Sequence, residues 1–397
     1  MKGVILDNYQ YANSTVEGLK VFLDDEDRII LLPLLFSYYL SKNLLVHKRR
    51  ELEEENKTII ELRKTPVATS TAGIYIDNLF KLLKYVNSNH STLGVNVHQI
   101  NTITESMLID YLNTYLPQHL SPEAIELHKT GLSAFFNFLA YLGMRSPVEL
   151  YVTDDALQTA RDNDEKKATI KYISKSDRFE LINECDNLRD RLILKMGAEV
   201  GLRASENQGL RLITKKKGED SITDLFDKLD SPEFSHVQEF KYWLSGKYCK
   251  CAKPRYIYFK RELLEEMKKY YLTERTSVVK KTGQDYDGFF LNYSNRNFGT
   301  EISAGLASSV FSKYRDRIPS IDENLRYHDL RHSFATELFY DELLDSSGQE
   351  TRSESAALIV VAQRLGHTYE EKNEVVPKAT KIYIRLLVKM KVIEALK

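Results

Sequence analysis

At 397 residues, with 42% hydrophobic and 28% charged side chains, the chain is long enough for two or three domains with cores of their own, and wholesale disorder is excluded. A formal net charge of −1 gives no global attraction to a polyanion, so contact with nucleic acid has to come from local cations: Lys215-Lys216-Lys217, the run Lys241, Lys247, Lys250, Lys253 and Arg255, and Lys280-Lys281. Three cysteines, Cys185, Cys249 and Cys251, are too few for a disulfide framework, and Cys249-x-Cys251 has no second pair at ligand spacing, so the expectation is a reducing compartment and no metal.

The first ten residues lack the tripartite order of a secretion signal, which predicts a cytoplasmic protein. Ile29 to Leu40 is the most apolar stretch; it contains Pro33, is closed by Lys42 and falls short of the roughly 20 apolar residues that span a bilayer, so it reads as a buried helix with no membrane role. The run from His47 to Asn56 sets opposite charges a helical turn apart and predicts an exposed helix, making residues 1–67 an N-terminal helical arm.

Pro66 to Thr71 reads as a hinge. Helical spacing then takes over in Ile74, Ile76, Leu79, Phe80, Leu82, Leu83 and Val86, and again in Leu132, Phe135, Phe136, Phe138 and Leu139. Thr104 opens a helix between them, and Ser121-Pro-Glu-Ala starts the next with proline at its first position. Residues 68–150 are therefore expected to form a compact domain of four or five helices, and 151–171, rich in Asp, Glu and Lys, an exposed linker. Residues 172–397 form the last unit, mostly helical, with one hairpin of Phe240 to Leu244, a turn containing Gly246, and Arg255 to Phe259. The segment 213–239 reads as a surface elaboration that contacts DNA or a partner at most.

Four short patterns follow in order: Gly201-Leu202-Arg203-Ala204-Ser205-Glu206; His328-Asp329-Leu330-Arg331-His332-Ser333-Phe334-Ala335-Thr336; Leu365-Gly366-His367; and Ala379-Thr380-Lys381-Ile382-Tyr383. Singly, each has an ordinary explanation: an ion pair between Arg203 and Glu206, a structural histidine, a glycine helix end, one of 24 tyrosines. Jointly they resemble the tyrosine recombinase, or phage integrase, family, most closely over 172–397 and more loosely over 68–150, which is similar to the family's helical core-binding domain.

The resemblance implies a mainly α, multidomain fold and a site-specific recombinase that cuts and rejoins double-stranded DNA through a 3′-phosphotyrosine bond, without metal or other cofactor. It implies Arg203 and Arg331 as the phosphate clamp, His328 as acid/base group, His367 as a hydrogen-bond donor to phosphate and Tyr383 as nucleophile. A lysine on the hairpin protonates the leaving 5′-hydroxyl: Lys247 fits, with Lys250 and Lys253 as rivals in the same turn. Glu206 matches an acidic position that orients side chains. Physical chemistry points the same way, because attack on a phosphodiester builds negative charge that fixed guanidinium groups stabilise with paired hydrogen bonds.

One departure is an interval from His367 to Tyr383 longer than the family's. Beyond the nucleophile, Ile384, Leu386, Leu387, Met390, Val392, Ile393 and Leu396 recur at helical spacing, and the resemblance implies that this helix docks on a neighbouring subunit of a tetramer. The expected partners are therefore duplex DNA, further copies of the chain and accessory proteins, in association with the nucleoid. Two other readings stay open at this point: a type IB topoisomerase, and a non-catalytic DNA-binding protein on the same fold.

Overall fold

The computed structural model describes residues 1–11, 14–54, 57–163, 171–214, 216–249, 252–344, 349, 351–366 and 390. The chain divides into two compact units, Met1–Glu165 and Lys166–Lys397. All pairing between strands within the described residues is antiparallel and two-stranded.

The N-terminal unit opens with β1 (Lys2–Leu6), β2 (Tyr9–Tyr11), β3 (Ser14–Val16) and β4 (Leu19–Leu23), in which β1 pairs with β4 and β2 with β3. Helix α1 (Leu31–Asn43) is the helix expected from Ile29 to Leu40, and it buries Phe36 and Leu40 completely. Leu44, at φ +51°, ends α1 in the left-handed conformation while its N–H bonds Leu40 O at 2.9 Å, and the chain turns directly into a strand.

The expected exposed helix from His47 does not form. Instead β5 (Leu45–Glu54) pairs with β6 (Lys57–Pro66) in a long ribbon, with Arg50 opposite Glu61 and Leu52 opposite Ile59. The reason is the β-branched content of the return strand, Thr58, Ile59, Ile60 and Thr65, which offers a pairing partner that a local charge period cannot register. Nor is 1–67 a separate arm. Phe22, Phe36, Leu40 and Val46 share one core with Leu79, Leu82, Phe135 and Leu139, and Phe36 meets Phe135 edge-on at 5.4 Å between centroids.

Helices α2 (Thr69–Ser88), α3 (His90–Leu93), α4 (Glu105–Asp110) and α5 (Pro122–Tyr141) supply the helical spacing read from the sequence. Thr104 caps α4 through Met107 N at 3.2 Å, whereas Ser121 stands at the cap position of α5 without a side-chain bond. The segment read as a linker starts with α6 (Asp154–Asp162), capped by Thr153, and Ala160 of this helix is completely buried in the unit's core. Small alanines among the charges were enough to seat it.

The C-terminal unit runs through α7 (Lys175–Asn183), α8 (Leu188–Glu199), α9 (Ile222–Asp230), the hairpin β7 (Glu239–Leu244) with β8 (Arg255–Lys260), α10 (Arg261–Tyr270), α11 (Thr276–Thr282), α12 (Leu306–Arg315), α13 (Tyr327–Leu343) and α14 (Glu354–Leu365). The expected hairpin is present, with Phe240 opposite Phe259 and Leu244 opposite Arg255. Segment 213–239 is more than surface: Ser221 caps α9, and Ile222, Leu225 and Phe226 enter the main core, Phe226 lying 5.5 Å from the Tyr271 ring. Among the described residues no helix is long and apolar enough to cross a membrane.

Candidate active site

The first pattern is a turn built around one glycine. Gly201 follows α8 at φ +71°, where an added Cβ would lie 2.5 Å from Phe334 and 3.2 Å from Leu365, so both its conformation and its surroundings require glycine. Leu202 then drops into the core with its N–H on Met196 O at 2.9 Å. Arg203 stands at the N-cap position of the short 3₁₀ helix Ala204–Gly209 without a side-chain cap, and Glu206 reaches back to accept the Arg203 N–H at 2.7 Å.

Glu206 is completely buried, and three guanidinium groups converge on it. Arg203 donates to Oε1 at 2.7 Å; Arg255 donates to both oxygens, at 2.6 and 2.8 Å; and Arg331 Nη1 lies 3.7 Å from Oε2. Burial alone opposes ionisation of Glu206, but the Arg255 hydrogen bonds, with the Arg255 and Arg331 charges, overcome it and hold the carboxyl at about 2. Three cations against one carboxylate leave an excess of positive charge, which is what a phosphodiester requires.

Arg331 ties the second pattern to the first and third. Its Nη1 donates to Gly201 O and its Nη2 to Leu365 O at 2.6 Å, and the side chain is 1% exposed. Arg203 keeps more open surface, at 22% side-chain exposure. The start of α13 is fixed by Asp329, which accepts the Arg326 N–H at 2.7 Å; burial raises the Asp329 carboxyl above its usual range. Tyr327 donates to Ile193 O and accepts from Asn207 Nδ2, both at 3.0 Å, joining α8, the 3₁₀ turn and α13. His328, one turn before Arg331, is exposed, and its ring lies 4.6 Å from that of His332, perpendicular to it.

The hairpin turn rests on the same 3₁₀ segment, because a Cβ on Gly209 would meet Leu244 at 2.5 Å and Tyr248 at 3.0 Å. Lys247 is exposed at the head of this turn, its Nζ 5.4 Å from the Tyr248 ring; Lys253 is also exposed. Lys250, His367 and Tyr383 lie outside the described residues, as does the C-terminal helix apart from Met390, which is buried. No group of three or more potential metal ligands occurs among the described residues.

Sequence reasoning missed Arg255, treating it as one surface cation among several. It is 6% exposed, and Gly366, at φ +64°, comes so close that an added Cβ would lie 2.5 Å from Arg255 Cδ. The signal was available in strand parity. Arg255 shares the inward face of β8 with Ile257 and Phe259, and an arginine at an inward position needs a buried anion.

No family model matches the chain. It is 24% identical over 304 residues to the tyrosine recombinase XerA of Pyrococcus horikoshii, covering 75% of this chain and 90% of that protein. Among solved structures it is similar to the XerH site-specific recombinase bound to a palindromic difH substrate after cleavage, at a TM-score of 0.50 and 17% identity over 79% of this chain and 75% of that one. The XerH complex before cleavage gives 0.50 and 16%, over 82% and 79%. The fold is therefore the mainly helical, multidomain fold of these recombinases.

Proposed function

We infer that the chain is a tyrosine recombinase, a site-specific enzyme that cleaves and rejoins double-stranded DNA. The observation that carries this reading is Arg331, whose guanidinium binds backbone carbonyls of the first and third patterns while facing Glu206, so that segments far apart in the chain form one cationic cluster.

In this reading Tyr383 attacks the phosphorus, the bond to the 5′-oxygen breaks, and the 3′-phosphate stays on the phenol. The leaving oxygen takes a proton from Lys247, with Lys250 and Lys253 in the same turn as rivals. Arg203 and Arg331 stabilise the charge that develops on the phosphoryl oxygens, His367 donates a hydrogen bond to the phosphate, His328 is the acid/base group, and the proton of the phenol passes to one of these two histidines. Attack by the 5′-hydroxyl of a partner duplex then reverses the step and frees Tyr383. The energy of the broken phosphodiester is kept in the phosphotyrosine, so no nucleotide is consumed. Arg255 positions Glu206, which in turn aligns Arg203. Exchange between two duplexes calls for four protomers, linked by the amphipathic helix after Tyr383, in the compartment that holds the DNA.

A nicked suicide substrate tests the reading: the wild-type chain gives a denaturant-resistant protein–DNA adduct, and Tyr383→Phe gives none. Adduct formation undiminished in Tyr383→Phe removes the assignment. Relaxation of supercoiled plasmid without paired sites would move the enzyme to the topoisomerases.

A further inference from the structure

The β5–β6 ribbon carries a charge pattern that its own fold does not need. Residues alternate between its two faces, so Lys48 and Arg50 of β5 share a face with Arg63 and Glu61 of β6. On the opposite face the cations are occupied. Arg49 is ion-paired with Glu51 at 2.6 Å and Glu149 at 2.9 Å, and Lys64 lies 5.3 Å from the Tyr141 ring while His47 stacks on that ring at 4.1 Å. That face is turned to the body of the unit.

Lys48, Arg50 and Arg63 are all exposed, and none forms an ion pair or side-chain hydrogen bond among the described residues. Lys48 stands directly opposite Arg63 in the register. Like charges at directly opposed positions destabilise a strand pair. A ribbon of only two strands has no third strand to offset that repulsion, so an anion bound across the pair relieves it. Arg50 continues the row about 7 Å further along β5, by the rise per residue of a strand. Glu61, opposite Arg50, is the one carboxylate of this stretch and leaves the face with excess positive charge. Further out this face turns apolar, with Leu52 opposite Ile59, which is 45% exposed, while Glu51 and Glu53 lie on the opposite face.

We propose that the outward face of this ribbon, through Lys48, Arg50 and Arg63, grips the phosphate backbone of duplex DNA, giving the N-terminal unit a non-helical DNA contact. The proposal rests on the recombinase reading for the identity of the polyanion. A two-stranded ribbon is narrow enough to follow a groove of duplex DNA, and three cations in a row meet successive phosphates without regard to sequence. Beyond Arg50 the same face offers Leu52 and Ile59 in place of cations, so the contact is confined to the stem.

The test uses the full chain and sheared mixed-sequence duplex DNA, with the dissociation constant measured across a range of sodium chloride concentrations. Each phosphate neutralised contributes about 0.9 to the slope of log affinity against log salt. Lys48→Ala/Arg50→Ala/Arg63→Ala is expected to lower that slope by about 2 to 3, whereas Arg49→Ala, whose charge is already paired, leaves it unchanged. Thermal melting of the triple variant at the wild-type temperature certifies that the ribbon is folded. Wild-type binding with no salt dependence overturns the DNA reading itself. Salt-dependent wild-type binding with the same slope in the triple variant overturns the ribbon contact alone. Loss of self-association in sedimentation, with the DNA slope intact, also overturns it and assigns the face to a second copy of the chain.

Discussion

The two units bury their polar groups in opposite ways. In the N-terminal unit the deeply buried titratable groups are mainly neutral ones, tyrosines and histidines: His47 is 1% exposed and His128 is 0% exposed, facing tyrosine hydroxyls at 3.0 and 3.3 Å, with Asp24 the charged exception. Burial pushes both imidazoles below their ordinary value, His128 to about 4. The C-terminal unit buries ions instead: Glu206 among its arginines, Arg189 against Asp190 at 2.6 Å, and Arg275 on the carbonyls of Phe289 and Gly288. A neutral imidazole needs one good partner. A buried ion is tolerated only when nearly all its hydrogen-bonding capacity is met. A core that carries such ions has its interior organised around charge, and Glu206 stands where the sequence patterns converge.

The largest effect is expected from breaking that organisation. Glu206→Ala strands the Arg255 guanidinium, which has no other carboxylate among the described residues, and removes the partner of Arg203. Losing one member of a buried ion network costs about 3 to 5 kcal/mol. Trp243, the only tryptophan of the chain, sits on β7 and reports the C-terminal unit in a denaturant titration. A loss below about 1 kcal/mol would mean that Glu206 is hydrated in solution and that the contrast between the units is not real.

How much of this was legible follows from the range of the forces involved. The hairpin β7–β8 was readable because strand period and turn residues are local; Arg203, His328 and Arg331 were singled out because their patterns are short strings. The gathering of Arg203, Arg255 and Arg331 around Glu206 was not legible, because contacts between segments far apart in the chain leave no local pattern. Arg255 was overlooked because a lysine- and arginine-rich run looks like surface until strand parity is applied to it. The N-terminal segment was misread outright. Charges at i and i+4 fit a helix, but the residue that stands opposite Arg50 is Glu61 of the other strand, and the decisive β-branched residues belong to that strand too. Local periodicity carries no information about pairing between strands, and the same blindness hid the burial of α6 and α9.

Acid should separate the units. His128 has an ordinary value of 6.5 and a folded value of about 4, so below pH 6.5 the unfolded chain takes up a proton that the folded unit refuses. Stability of the N-terminal unit therefore falls as pH drops from 6.5 towards 4, by about 3 kcal/mol from this group at 1.4 kcal/mol per pH unit. Glu206 behaves differently: its value is lowered from 4.5 to about 2, so its contribution is whole above pH 4.5 and disappears only between 4.5 and 2. Far-UV circular dichroism is expected to show partial unfolding in mild acid while Trp243 fluorescence is still native. The loss in mild acid should shrink in His128→Gln. Simultaneous transitions of both signals near pH 3 would contradict the assignment of neutral burial to one unit and ionic burial to the other.

The smallest effect asks whether the units report separately at all. Ser221 caps α9 in the C-terminal unit, its Oγ accepting Asp224 N at 3.2 Å, and Thr153 caps α6 in the N-terminal unit, its Oγ1 accepting Ala156 N at 3.2 Å. Each cap contributes about 1 kcal/mol; replacement by alanine removes it without touching the Glu206 cluster or a buried histidine, although in Ser221 it also removes the hydrogen bond donated to Asp224 Oδ2 at 2.6 Å. Ser221→Ala is expected to move the Trp243 unfolding midpoint and Thr153→Ala to leave it in place while shifting the circular dichroism midpoint. Equal shifts of the Trp243 midpoint in both variants would show the chain unfolding as one cooperative block. Differences in how each interior treats charge would then be averaged over the whole molecule, and the acid response would have to be assigned to the chain as a whole.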